Sequence, residues 1–352
     1  MFSFRTTPLA DQLDKALTQG RVVVVDTPSS FDPATGLTTA RVFSQRGNLF
    51  RHFTPSGGEF AAGEPTLGID YSVLKEADAV VVDIQDAGSR SFPLTKEVCA
   101  LIEALAGMDY PPAMYLVDRP NPAGRTVEGT IPVIETEPHT PRVAHRHGLT
   151  LGELCHLLQS EIAPSLALHV ISMRASSSML LPWAIPPSKD FAGLFSPMLY
   201  SSGILWTRTS VSVALGTPRP YEYIGAPYLR HEDVRYLPCP EGVALRPCSF
   251  VPGEGKFAGE LCNGFQIMLS PGARYHSFLH AVLLMRSLQS RYSQFNFDSD
   301  FNALVCDPVV KAYLTEEITF DVVQEHVKAE EQKWIRKARR YCLYDDPPVR
   351  NK

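Results

Sequence analysis

The sequence lacks any apolar run approaching the roughly 18 residues of a membrane span, so no membrane partner is expected. Residues 1–20 are polar and mixed, with Arg5, Asp11, Asp14 and Lys15 where a signal peptide would be apolar; a cytoplasmic protein is the expectation. There is no C-x-x-C pair among the seven scattered cysteines, which argues against a disulfide framework or a zinc site and for reduced structural thiols. There is no G-x-G-x-x-G and no G-x-x-x-x-G-K, so dinucleotide and P-loop readings lack their phosphate cradle. No G-x-S-x-G follows a strand, which counts against a serine hydrolase of the α/β type. Long runs of one charge are also missing. The cluster from Lys333 to Arg340 reads as a solvated helix face, and without a broad basic surface nucleic acid is set aside as a partner. Internal repeats and low-complexity segments are absent.

What remains is ordinary globular material: 352 residues, 44% hydrophobic, 20% charged, net charge -5. The length suggests two domains at roughly 150 residues each, with cores that need no staples. The first half alternates apolar runs with helical patterns. Arg21–Asp26, Ala79–Ile84, Ala113–Asp118 and Leu166–Met173 read as strands, and Asp11–Thr18, Val73–Ala77, Thr95–Leu105 and Leu151–Leu158 as helices. Thr150 and Glu153 have the spacing of a capping box for the last of these. Continuous rather than alternating apolar strands indicate a parallel sheet covered on both faces. The expected fold is therefore a Rossmann-like α/β domain over residues 1–173. Beyond it, proline and serine become frequent, and runs such as Thr209–Val213 and Gly264–Leu269 favour short strands. Helices are expected over Tyr275–Leu288 and within Phe320–Tyr341, giving a smaller α+β or β-rich domain over residues 174–352.

Three strands end in carboxylates, Asp26, Asp83 and Asp118, on the sheet edge where α/β proteins bind ligands. Polar residues then cluster in three segments: Asp83-Ile-Gln-Asp-Ala-Gly-Ser-Arg90; Asp118-Arg-Pro-Asn-Pro122 with Val127-Glu-Gly129; and His147-Gly-Leu-Thr150. Each has a plain structural alternative: an internal Asp–Arg pair, a stiff proline turn, a histidine preceding a helix. Buried polar groups of this kind must be paired or bind something.

Taken in order, these segments resemble signatures of the bacterial exo-β-N-acetylmuramidases, a family long catalogued as a domain of unknown function. Ser212-Val-Ala-Leu-Gly-Thr217, Ile224-Gly-Ala-Pro-Tyr228 and Arg340-Tyr-Cys-Leu-Tyr344 continue the resemblance over most of the chain. It implies a cleft between the two domains, a peptidoglycan-derived amino sugar or muropeptide as partner, and release of terminal N-acetylmuramic acid without metal or organic cofactor. Glycoside hydrolysis uses two carboxyl groups across the scissile bond. By resemblance Glu128 takes the position of one of them. Arg90, Arg119, Asn121 and His147, with Asp86 and Asp118, become candidates for holding the sugar.

The departures from the family pattern are concentrated. The family's Ser-Pro-Glu-His-Gly has its counterpart in Thr54-Pro-Ser-Gly-Gly58, so Ser56 stands at the glutamate's place; Glu59, three residues on, is the candidate replacement carboxylate. Glu-Gly-Thr-Asn becomes Thr207-Arg-Thr-Ser210, and Gly-Arg-Gly-Thr becomes Ala214-Leu-Gly-Thr217. Tyr-Thr-Tyr becomes Phe92-Pro-Leu94, and Pro-Ser-Pro-Asn becomes Pro187-Ser-Lys-Asp190. Glycines and apolar positions persist while binding-type positions change. Two functions follow as expectations: a muramidase-like glycosidase with a degraded active site, or an inactive relative that binds a sugar or a protein.

Overall fold

The computed structural model describes residues 15–32, 35–55, 66–134, 136–172, 185–191, 193, 195–270 and 272–350. In chain order the helices are α1 (Lys15–Gln19), α2 (Thr39–Arg46), α3 (Pro93–Ala106), α4 (Leu151–Ile162), α5 (Ser196–Trp206), α6 (Ser277–Arg291), α7 (Phe301–Val305), α8 (Pro308–Leu314) and α9 (Phe320–Ala338). The strands are β1 (Val22–Asp26), β2 (Leu49–Phe53), β3 (Ala79–Asp83), β4 (Ala113–Val117), β5 (Thr126–Val127), β6 (Leu168–Ile171), β7 (Tyr223–Ala226), β8 (Val243–Phe250), β9 (Cys262–Leu269) and β10 (Val349–Arg350).

The valine runs of β1 and β3 belong in a doubly covered sheet, because β-branched side chains favour the pleated surface and both faces are dry. Five parallel strands form it in the order β2-β1-β3-β4-β6. On one face Val23, Val25, Val80, Val82, Met114 and Leu116 pack with Val98 and Leu101 of α3 and Leu154 and Leu157 of α4. On the other, Val22, Val24, Val81, Tyr115 and Val117 pack with Leu17, Ala40 and Phe43. Each fully buried valine contributes about 1.5–3 kcal/mol relative to exposure. The strand order reverses between β1 and β3, so a crevice is expected beyond Asp26 and Asp83, which sit side by side in register.

The second half holds a smaller antiparallel sheet, β7-β9-β8, whose long ladder runs from Val243↔Leu269 to Phe250↔Cys262. Its core is continuous with the first: Trp206, Phe265, Phe278 and Trp334 share one buried cluster with Val82 and Leu116. The chain's end returns to the parallel-sheet half. β10 pairs with β5, Trp334 Nε1 donates to the His147 carbonyl at 2.8 Å, and Tyr344 OH donates to Asp118 at 2.7 Å.

Several local expectations are revised. Thr209–Val213 forms no strand; it makes only isolated bridges, Thr209 to Phe297 and Ser212 to Gly225, because Ala214 turns into the left-handed region (φ 58) and ends the extension. The helix expected over Val73–Ala77 is a 3-10 turn over Tyr71–Glu76, whose N-cap Asp70 accepts from Ser72 N–H and whose C-cap is Ala77. Two elements carried no clear periodic signal. In β2 the polar Arg51 and His52 interrupt an edge strand, and α5 is buried all round, so it shows no amphipathic stripe.

Candidate functional site

At the strand ends the carboxylates are locked in place. Asp26 Oδ1 lies 2.7 Å from His52 Nε2, while its Oδ2 accepts from Ser30 Oγ and Ala40 N–H, both at 3.1 Å. The Asp26 hydrogen bond raises the His52 pKa against the pull of partial burial. Asp83 Oδ1 accepts from Arg119 Nε at 2.8 Å and Nη2 at 2.6 Å, and Thr39 Oγ1 donates to its Oδ2. Asp118 accepts from Gly152 N–H at 2.8 Å, Thr150 Oγ1 at 2.7 Å and Arg119 N–H at 3.0 Å, besides Tyr344. Burial outweighs these donors and its pKa is raised.

Behind this edge lies a sealed polar belt. Glu128 has no exposed surface; Arg146 Nη1 donates to it at 2.7 Å, Ser277 Oγ at 2.6 Å and Phe278 N–H at 3.1 Å. Burial alone would push its carboxyl up, but Arg146, His276, Ser277 and Phe278 outweigh it and hold it below the ordinary glutamate range. Arg90 is equally enclosed and donates to the carbonyls of Thr130, Val143, Leu304 and Val305, tying the two halves together; burial pulls its guanidinium down to about 10, still charged at neutral pH. Asp86 accepts from Thr95 Oγ1 and from Gly88 N–H, and His147 Nε2 lies 3.5 Å from it. Burial raises Asp86, yet His147, Thr95 and Gly88 bring it below its usual value. His147 Nδ1 accepts from Leu149 N–H at 3.2 Å, which places the ring proton on Nε2, toward Asp86. Asn121 spends both ends of its amide on the backbone, donating to Leu149 O and accepting from Ala123 N–H, each at 2.8 Å. Arg119 keeps 13% of its side-chain surface. Glu59 and Ser56 lie outside the described residues.

A different set of side chains lines a cavity of about 400 Å³ between the start of α3 and α5. Its aromatic lining is Phe92, Phe191, Tyr200 and Tyr221, with Phe92 and Tyr221 both edge-on to Tyr200 at 5.8 and 5.0 Å between ring centres. Tyr221 holds a left-handed backbone (φ 64), an arrangement that persists only where surroundings enforce it. Its ring lies over Gly203 of α5, where an added Cβ would come within 2.6 Å. The polar lining includes Lys96, Glu137, Asp190, Arg208 and Glu254. Arg208 Nη2 donates to Glu137 at 3.0 Å, Lys96 pairs with the other oxygen of the same carboxylate, and Lys189 pairs with Glu254. Burial raises Glu137, but Lys96 and Arg208 hold its carboxyl below the ordinary range. Among the described residues no group of three or more acidic, histidine or cysteine side chains is placed to hold a metal, and no helix is long and apolar enough to cross a membrane.

Residues 66–188 match the N-terminal family model of the exo-β-N-acetylmuramidase NamZ, and residues 198–344 match its C-terminal model. The chain belongs to the exo-β-N-acetylmuramidase family. It is a divergent member. The peptidoglycan β-N-acetylmuramidase NamZ of Bacillus subtilis is 26% identical over 290 residues, spanning 77% of this chain and 69% of that protein. Two crystal structures of DUF1343 family proteins from Bacteroides fragilis share the fold, with TM-scores of 0.79 and 0.73, each at 22% identity. They cover 94% of this chain and 96% and 95% of their own.

Six positions read from the sequence as departures from the muramidase pattern, Phe92, Pro93, Asp190, Thr207, Arg208 and Leu215, come from four separate segments and line the cavity. None of Asp86, Arg90, Asp118, Arg119, Asn121, Glu128 or His147 is among the described lining residues. Sequence reasoning did not single out Lys96, Glu137, Tyr200, Tyr221 or Glu254. The available signal was the altered family positions themselves, which a fold must gather before their shared wall is visible.

Proposed function

We propose that this chain binds the amino sugar of a peptidoglycan fragment in the cavity between α3 and α5, with glycosidic hydrolysis weak or absent. The observation that carries this reading is the gathering of four altered muramidase segments on one cavity wall. A volume of about 400 Å³ falls within the range of small-ligand pockets. Aromatic faces offer a platform for a sugar's C–H surface, and the charged rim supplies hydrogen bonds to hydroxyl, acetamido and carboxylate groups.

Hydrolysis asks for one carboxyl able to deliver a proton and another able to act as base or nucleophile. Glu128 is enclosed and held ionised by Arg146, which suits a group that organises the interface with α6 better than one that protonates a leaving oxygen. Glu137 lines the cavity, but its two cations likewise favour the charged form. The second reading, an active exo-muramidase, gives that proton transfer to Glu59. It is favoured by the position of β2, which ends at Phe53, beside the β1/β3 crevice and shortly before Glu59 in the chain.

The test is turnover of a chromogenic β-N-acetylmuramide beside the matching N-acetylglucosaminide, together with calorimetric titration of N-acetylmuramic acid. Binding without turnover is the expected result. Muramide-specific release that disappears in Glu59→Gln would overturn it in favour of the second reading. Absence of both binding and turnover in the folded protein would remove the sugar site from the cavity.

A further inference from the structure

Lys96 in the first turn of α3 and Arg208 just beyond α5 converge on one carboxylate, that of Glu137. Arg208 Nη1 also lies 3.6 Å from Asp300, but that carboxylate is 61% exposed, where pairing is heavily screened. Two cations therefore meet one sheltered carboxylate. Lys96 and Arg208 remain 23% and 36% exposed, and all three side chains line the cavity that also presents Phe92, Tyr200 and Tyr221. The arginine fork and the lysine ammonium, brought from distant parts of the chain, match the oxygens of a carboxylate, which is how Glu137 uses them.

We propose that Lys96 and Arg208 recognise a carboxylate on the ligand, and that Glu137 is a built-in competitor which that carboxylate displaces. This rests on the reading of the cavity as a sugar site and adds its selectivity. A sugar acid must pay for moving Glu137 and then gains both cations, whereas a neutral sugar leaves the Glu137 pairing intact and gains nothing from it. Discrimination therefore depends on three residues outside the sealed belt, and it weakens as salt screens the pair.

The experiment is titration of the full chain with three probes: N-acetylmuramic acid, N-acetylglucosamine and lactate, at low and high salt. The wild type is compared with Glu137→Gln and Arg208→Gln, each checked for an unchanged melting temperature. Glu137→Gln is expected to tighten N-acetylmuramic acid about three- to tenfold, and Arg208→Gln to weaken it by a similar factor, with N-acetylglucosamine unmoved. High salt should narrow the acid-to-neutral ratio in the wild type, an arm that stands even where a variant fails to fold. Equal binding of both sugars, insensitive to salt and to the substitutions, would overturn the proposal while leaving the sugar site intact. If neither sugar binds but lactate binds more tightly to Glu137→Gln than to the wild type, the sugar reading fails and the anion wall stands. Failure of lactate and both sugars to bind any form would overturn both.

Discussion

Glu128 and Glu137 are both carboxylates paired with arginine, and they sit in opposite environments. Glu128 has no exposed surface, and its partners Arg146, Ser277 and Phe278 come from both halves of the chain. Glu137 keeps 25% of its side-chain surface beside a cavity, and its partners are the ends of long, flexible side chains. The difference lies in what removal would leave behind. Taking away Glu128 strands the nearly buried charge of Arg146, whereas taking away Glu137 leaves Lys96 and Arg208 free to find solvent or a ligand. Pairing in the first case joins two halves of a fold; in the second it holds a surface ready for exchange.

The comparison breaks most directly at Glu128. Glu128→Gln should cost about 3–5 kcal/mol in urea unfolding, because Arg146 is left buried without its counter-charge. A variant as stable as the wild type that loses a turnover the wild type displays would instead make Glu128 a catalytic group. Arg90→Met should cost about 2–4 kcal/mol, since buried carbonyls at Thr130, Val143, Leu304 and Val305 lose a charged donor.

The same belt should shape stability against pH. Glu128 and Asp86 are held below their ordinary values of 4.5 and 3.8, so their contribution is complete above those values and is lost as pH falls through the folded ones. Asp118, raised by burial, acts in the opposite sense and blunts that loss. Burial lowers His276, but its hydrogen bond to Glu331 and the nearby Glu128 raise it overall, against Arg146. Its contribution is therefore complete below 6.5 and is lost as pH rises through its folded value. Unfolding free energy should thus fall toward acid and, through His276 together with His52 beside Asp26, fall again above pH 6.5. His276→Gln should flatten the alkaline limb and, because His276 helps hold Glu128 low, alter the acid limb as well. A profile unchanged by that substitution would remove His276 from the account.

Smaller effects sharpen the contrast. Thr150→Ala removes the capping box of α4 and a hydrogen bond to Asp118, and should cost about 1–2 kcal/mol in thermal unfolding. Arg208→Gln should change stability by less than about 1 kcal/mol, as expected for a part-exposed pair, while altering ligand affinity. A large loss of stability there would move Arg208 from the cavity wall into the scaffold.

Much of the scaffold was readable in the chain. The runs Val22-Val-Val-Val-Asp26 and Ala79-Val-Val-Val-Asp83 carry their burial in their composition, and Thr150 with Glu153 announces the start of α4 through a local contact that the structure contains. The motifs around Asp83, Asp118 and His147 likewise resembled those of the family, and they lie in tight loops where Asp86 accepts from Gly88 N–H and Asn121 from Ala123 N–H. Local sequence determines such features because the forces involved act within a few residues: strand propensity, helix capping, the stiffness of proline. The fate of the polar residues was decided elsewhere. Whether Arg90 meets a ligand or four carbonyls depends on where Leu304 and Val305 arrive, more than two hundred residues later in the chain. Whether Glu128 faces water depends on α6, and the cavity exists only once Phe92, Ser188, Arg208 and Leu215 meet. Solvent exposure is a property of the whole packed surface, so tertiary structure alone could separate the sealed belt from the open wall.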